Sequence, residues 1–479
     1  MNRSILAGTR GRLFRSGALA LAMISGAGAG HAQSLPDTMV SAYLNSPEID
    51  AARADIKVRA ERAVQARAGG RLNVEARAGI EAELFENDQR SSVGTPLPFD
   101  RYDTRFPNSV SLSLVQPLYT GGRVENATES AETRITVSEA TLVSTEQEVL
   151  LNAVTAFVDV RRDIEFVSLG ENNVRVLSEQ LRAANERFEV GEVTRTDVEQ
   201  ARARLAAARS RLAAATGALA ASRQSYLRAV GEAPGDLLPP PPLPDLPASQ
   251  DEAVAMALRD DPSVIAARLE REATGHDVRA AIGTLLPQVT LEGNLSSTES
   301  GNDNSRRKEN IAVGLFVTMP LYAGGGNYSN VREAQASAEG ASAQITSAMR
   351  LAVRNVGVSW ANLEVARASI RAGKLEVAAA QLAFEGVREE AKVGARTTLD
   401  VLDAEQEVLN ARANLVSARR DEYVAAYSLL ASIGKLTVAH LGLDTGLTSG
   451  QPSYYETVRD RNFGYDASDD TVWSTRWRP

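Results

Sequence analysis

The 479-residue sequence has no cysteine, three histidines and few aromatics, only 5% of the chain. Without cysteine there is no disulfide, no thiolate nucleophile, no cysteine-ligated zinc or iron–sulfur centre, and no lipidated N-terminal cysteine. His31 falls in a segment expected to be removed, which leaves His276 and His440 far apart in sequence and no basis for a histidine-rich metal site. Basic residues are in deficit, 52 Lys and Arg against 61 Asp and Glu, for a net charge of −9. The first 32 residues hold Arg3, Arg10, Arg12 and Arg15 and no acid, so the remainder carries −9 − 4 = −13. Such a surface repels nucleic acid, and no nucleic-acid partner is expected. A glycine-rich phosphate loop, a nucleophile elbow and metal-ligand spacing are all missing, so neither an enzyme nor a cofactor is expected.

What is present begins with an address. Four arginines precede an apolar run of small residues from Gly17 to Gly30, followed by Gly30-His31-Ala32. This is the pattern of a secretory signal peptide spanning 1–32. Beyond it no stretch approaches the roughly 18–20 apolar residues of a membrane-spanning helix.

The rest is written twice. Pro117-Leu118-Tyr119 with Gly121-Gly122 matches Pro320-Leu321-Tyr322 with Gly324-Gly325 at an offset of 320 − 117 = 203, and Val190-Gly191 with Asp197-Val198 matches Val393-Gly394 with Asp400-Val401 at the same offset. Upstream, Pro47 and Pro262 differ by 215, so the first half carries 215 − 203 = 12 extra residues before Pro117. Loops absorb such differences. The organisation expected is a first repeat over 33–233, a stiff proline-rich connector over 234–247, a second repeat over 248–440 and a periplasmic tail over 441–479 that lacks lasting periodicity.

Each repeat reads as a helix, two strands and two long helices. Val74, Ala76, Ala78, Ile80 and Leu84 alternate with Glu75, Arg77, Glu81 and Glu83, giving one oily and one wet face. The same alternation marks strands at about 109–119, 287–296 and 310–322; the connectors 87–107 and 296–309 read as polar loops. Strands of about 10–14 residues cross an outer membrane when tilted. Between Val124 and Val190 there is no proline, and 67 helical residues would span roughly 100 Å. Val198, Leu205, Leu212, Leu219 and Tyr226 recur every seven residues, as do Leu402, Leu409, Val416, Tyr423 and Leu430. This is coiled-coil spacing, and packing explains the stripe without further function.

Four strands cannot close a barrel, and open edges in lipid cost several kcal/mol for each unpaired backbone group. The chain must borrow strands from copies of itself, and three copies of four strands make the smallest barrel with a useful lumen. The rival is an exported trimeric coiled-coil adhesin without a lumen. It shares heptads and export but leaves the two lipid-facing hairpins unexplained.

These features together resemble the TolC family of outer-membrane ducts, above all the Pro-Leu-Tyr-x-Gly-Gly strand exits and the segments Val190–Val198 and Val393–Ala404. The resemblance covers nearly all of the mature chain to about Gly450. It implies a membrane α+β fold: a trimeric, twelve-stranded outer-membrane β-barrel, four strands per chain, continued by a long periplasmic α-helical coiled-coil barrel, with two structural repeats per chain. It further implies a homotrimer in outer-membrane lipid. Its partners would be a periplasmic adaptor (membrane fusion) protein and an inner-membrane transporter, ABC-type or proton-driven, serving type I protein secretion, drug efflux or both.

The resemblance places a gate at the helix tips, where Arg396 bonds across to Thr196 and Asp197 of a neighbouring protomer. The family's frequent Tyr five residues before that Arg is Ala391 here, which removes one gate bond. Asp400 and Asp403, three apart on one helix face, would form two stacked acidic rings at a pore constriction in a trimer. Asp197 and Asp400 read equally well as capping-box acids that complement a helix dipole, and the Asp400/Asp403 pair as a solvated helix start.

Overall fold

The computed structural model describes residues 33–86, 102–299, 307–446 and 453–461. The signal-peptide reading of 1–32 and the tail tryptophans Trp473 and Trp477 lie outside them. The first repeat runs α1 (Leu35–Asn45), α2 (Pro47–Ala68), β1 (Asn73–Ile80), β2 (Glu83–Glu86), β3 (Tyr102–Arg105), β4 (Asn108–Tyr119), α3 (Arg123–Glu189) and α4 (Arg195–Val230). The second runs α5 (Gln250–Asp260), α6 (Pro262–Gly283), β5 (Gln288–Glu299), β6 (Arg307–Thr318), α7 (Gly326–Lys392) and α8 (Thr398–Ser432), with α9 (Tyr454–Val458) in the tail.

Each repeat therefore opens with two short helices where the sequence reading had one. Ser46 ends α1 and caps α2, and Asp261 does the same between α5 and α6. Proline follows at the first helical position in both, where its missing N–H has no helical partner to lose. The connectors also need correction. Residues 87–107 include β3, paired antiparallel to β2, and the strands β5 and β6 extend into 296–309 from both sides. A sharper boundary falls at the end of β6, which stops at Thr318 before Pro320 rather than at residue 322, since proline cannot donate to the ladder.

The main sheet has the order β1-β4-β5-β6, all antiparallel. Its register lines up the alternation across all four strands: Ala76 faces Leu112, Leu112 faces Leu295, and Leu295 faces Ile311. One residue along, on the opposite face, the row is Glu75, Ser113, Asn294 and Ala312. Among the described residues nothing covers the oily face, and Ile311 is 77% exposed. β1 and β6 are open edges of this sheet. Among the described residues no helix is long and apolar enough to cross a membrane.

α3 and α7 are 67 residues each, roughly 100 Å long. α3 packs against α2 and α6 in its strand-proximal half and against α4 and α8 in its distal half, while α7 packs against α6 and then α8. At mid-length the largest core gathers Leu150, Val154 and Phe157 of α3 with Leu35 of α1, Tyr226 of α4, Leu363 of α7 and Leu429 of α8. The proline-rich connector crosses this girdle as an extended strap. Arg161 donates to the Leu237 carbonyl at 2.6 Å and Tyr423 to the Pro241 carbonyl at 2.7 Å.

Charged ties flank the girdle. Arg134 of α3 reaches Asp277 at 2.6 Å and Glu270 at 3.2 Å on α6, and Arg420 of α8 reaches Asp159 of α3 at 2.7 Å. The tail folds back on the neck below the sheet. Tyr454 of α9 donates to Glu61 of α2 at 2.7 Å, Tyr455 bonds Glu132 of α3, and Arg71 holds the Arg459 carbonyl at 2.7 Å.

Candidate gate at the helix tips

The two tips are built alike. Val190 caps the end of α3 and Val393 that of α7, and the next residues, Gly191 and Gly394, adopt φ of 80° and 78°. A Cβ is strained in that left-handed region, so glycine reverses the chain without steric cost. Thr194 then caps α4. Its hydroxyl accepts from the Asp197 amide at 3.3 Å, and Asp197 in turn accepts from the Thr194 amide and hydroxyl, both at 2.8 Å. Thr397 and Asp400 repeat the box on α8, at 3.2, 2.9 and 2.8 Å. The Thr194 hydroxyl above all holds the Asp197 carboxyl below its ordinary value; the Thr397 amide, then its hydroxyl, does the same for Asp400. Both acids stay ionised at neutral pH and complement the positive helix end.

Arg396, Thr196 and Asp197 thus sit on two different tips. Arg396 is exposed and donates to Glu390 of its own hairpin at 2.8 Å. Thr196 is exposed on the α4 tip. Within one protomer no hydrogen bond or ion pair joins Arg396 to either. Ala391 contributes only its carbonyl, which accepts from the Gly394 amide.

Asp400 and Asp403 lie on the first turns of α8 but not as two bare acids. Asp400 is occupied by its cap, and Asp403 takes an ion pair from Arg204 of α4 at 2.5 Å. The sequence reading of α8 alone missed this partner. Its signal was there: Arg204 and Arg211 flank the Leu205/Leu212 stripe seven residues apart, the position from which coiled-coil charges reach a neighbouring helix.

Further rungs tie the two hairpins just above the tips. Arg211 donates to Gln406 at 2.5 Å and Gln180 of α3 donates to Glu405 of α8 at 2.8 Å, around a small core of Leu177, Leu205, Ala208 and Leu402. Burial lifts the Glu405 carboxyl above its usual range, with the Gln180 bond opposing. Below this point the core consists of Ala184, Val198 and Ala201, from α3 and α4 only. The α7–α8 tip is therefore free of shared apolar packing beyond Leu402.

A family model described as outer membrane efflux protein matches residues 39–232 and 253–435. The outer membrane efflux protein BepC of Brucella suis biovar 1 (strain 1330) is 32% identical over 443 residues, 91% of this chain and 93% of that protein. The outer membrane protein TolC of Escherichia coli (strain K12) is 25% identical over 421 residues, 85% of this chain and 83% of that protein. Among solved structures, CusC, described in terms of folding and transmembrane channel formation, aligns with a TM-score of 0.72 at 18% identity, covering 84% of this chain and 92% of that one.

Proposed function

The chain belongs to the outer membrane efflux protein family, and on that premise we propose that three copies of it close into one export duct gated at the tips of their long helices. It is an outer-membrane channel protein of efflux and secretion, with its helices extending into the periplasm. The adhesin reading finds no support among its relatives.

The sheet carries the proposal of a trimer. An apolar face with no cover and two open edges, β1 and β6, is untenable in lipid as a single copy. Twelve strands from three copies satisfy both edges and leave a lumen. The apolar residues left bare on α7 supply a matching surface in the helical part.

At the distal end, Arg396 bonds to Thr196 and Asp197 of the adjacent copy, so that three such bonds draw the tips together. Asp400 and Asp403 line the constriction behind them. The distal coiled coil receives a periplasmic adaptor protein, which joins it to an inner-membrane transporter. The lack of a tyrosine at Ala391 and the competing Glu390 both make this closure weak, and the free α7–α8 tip gives it room to move.

The test is electrical. Arg396→Ala channels in planar bilayers should conduct several-fold more than wild type, whereas an unchanged single-channel conductance would count against the gate. Heat-modifiable migration from outer-membrane extracts reports the trimer independently.

A further inference from the structure

Asp403 is the acid of the proposed constriction that a cation of the same protomer meets in a direct ion pair; Arg396 acts on Asp400 only through space, its guanidinium bonding Glu390. Its Oδ1 lies 2.5 Å from Nη2 of Arg204, across the α4–α8 seam, with the two side chains 55% and 38% exposed. One heptad up the same seam, Arg211 bonds the neutral Gln406 at 2.5 Å. Glu405, which lines the same small cavity as Arg204 and Arg211, is half-buried and its carboxylate accepts from Gln180 of α3. Of the two guanidinium groups α4 sends to this seam, only that of Arg204 meets a carboxylate directly.

We infer that Arg204 is a selectivity-determining residue of the channel: it masks the Asp403 ring, leaving Asp400 to set the cation preference of the mouth. The assignment rests on the proposed placement of Asp400 and Asp403 at the constriction. An exposed ion pair adds little to stability, but masking needs only that the guanidinium stay within a screening length of the carboxylate. Opposite charges a hydrogen bond apart act on a passing ion as a dipole. At physiological salt the field of even a bare charge fades over about 8 Å, so the residual field of a pair is small. A carboxylate released from its partner exerts the field of a full charge, and three around one axis reinforce each other.

The experiment is the reversal potential of single channels under a KCl gradient, with trimer migration monitored for each variant. Arg204→Gln should raise the cation-to-anion permeability ratio several-fold, and Arg204→Lys should hold it near wild type. Asp403→Asn should be almost silent in the wild-type background but should cancel the whole gain in the Arg204→Gln background. A reversal potential unmoved by Arg204→Gln overturns the assignment. So does an Asp403→Asn effect as large with Arg204 present as without it. Asp400→Asn separates the two levels: if it lowers cation preference while the Arg204 series stays flat, only the masking fails. If it too is silent in every background, the constriction itself is misplaced.

Discussion

α3 and α7 have the same length and the same place in their repeats, yet they meet very different surroundings. α3 has buried side chains from Ser130 to Ala184, along nearly all of its course. In α7 they are confined to the stretch from Ala352 to Gly373. Beyond it Leu375 and Leu382, seven apart, are 74% and 72% exposed. The cause is the set of neighbours: among the described elements α3 packs against α1, α2, α4, α6 and α8, whereas α7 packs against α5, α6 and α8. The neck repeats the contrast. A Cβ on Gly121 would lie 2.6 Å from the Gly283 carbonyl oxygen, whereas its counterpart Gly324 has open space. Equivalent sequence thus acquires its burial from neighbours, and the second repeat presents the side on which a neighbour is missing.

The largest expected effect comes from setting Phe157→Ala against Leu375→Ala. Phe157 is fully buried, and its truncation should cost about 3–5 kcal/mol in thermal unfolding followed by circular dichroism. Leu375→Ala should leave the protomer within about 0.5 kcal/mol and instead weaken the heat-resistant trimer. Equal losses of protomer stability from both would break the comparison. Next, Gly121→Ala should destabilise by about 2–4 kcal/mol, through overpacking added to its positive φ. Gly324→Ala should cost only the backbone strain, about 1–2 kcal/mol. If the two variants melt alike, the adjacent copy fills the space at Gly324 as tightly as Gly283 fills it at Gly121.

The smallest effect lies where the repeats differ in charge. Asn45 ends α1 and donates to the Val230 carbonyl at 3.3 Å; its counterpart Asp260 ends α5 and meets Lys435 at 3.0 Å. Hydrogen bonds from Arg259 first, then from Lys435, hold the Asp260 carboxyl down at about 2 against the effect of burial. A depressed carboxyl stabilises the fold above its unfolded value near 4, and that contribution is lost as pH falls from about 4 to about 2. With Arg259 exposed and Lys435 only half-buried, it should amount to less than about 1 kcal/mol. Asp260→Asn should flatten this part of an acid titration of stability, and an unaltered profile would show that the second repeat is no more acid-sensitive here than the first.

Much of this architecture could be read from residue patterns. The alternation over about 72–84 became β1 and, after a break at residues 81–82, the start of β2; the proline-free run after Val124 became α3, and the constant offset of 203 exposed the duplication. What could not be read depends on partners distant in sequence. The tie between Arg204 and Asp403 links residues 199 apart, and helical periodicity does not say which helix stands beside which. β3 lay hidden in a polar stretch because ladder pairing, rather than side-chain alternation, defines it. α1 was missed although Ser34, Pro36 and Asp37 spell a helix start, since their box falls just beyond the expected cleavage point. The tail's hold on the neck rests on two tyrosines without periodic context.

The seam between β4 and β5 is where the two halves of one chain join in the sheet. In the proposed ring, hairpins meet at six such joints, of which three are of this kind and form within a single chain. Their partners are tethered, so they close at high effective concentration without the loss of translational freedom that separate molecules suffer. Only the joints between β6 of one copy and β1 of the next await an encounter. Duplication has in this way halved the number of joints that must form between separate chains before the wall is sealed.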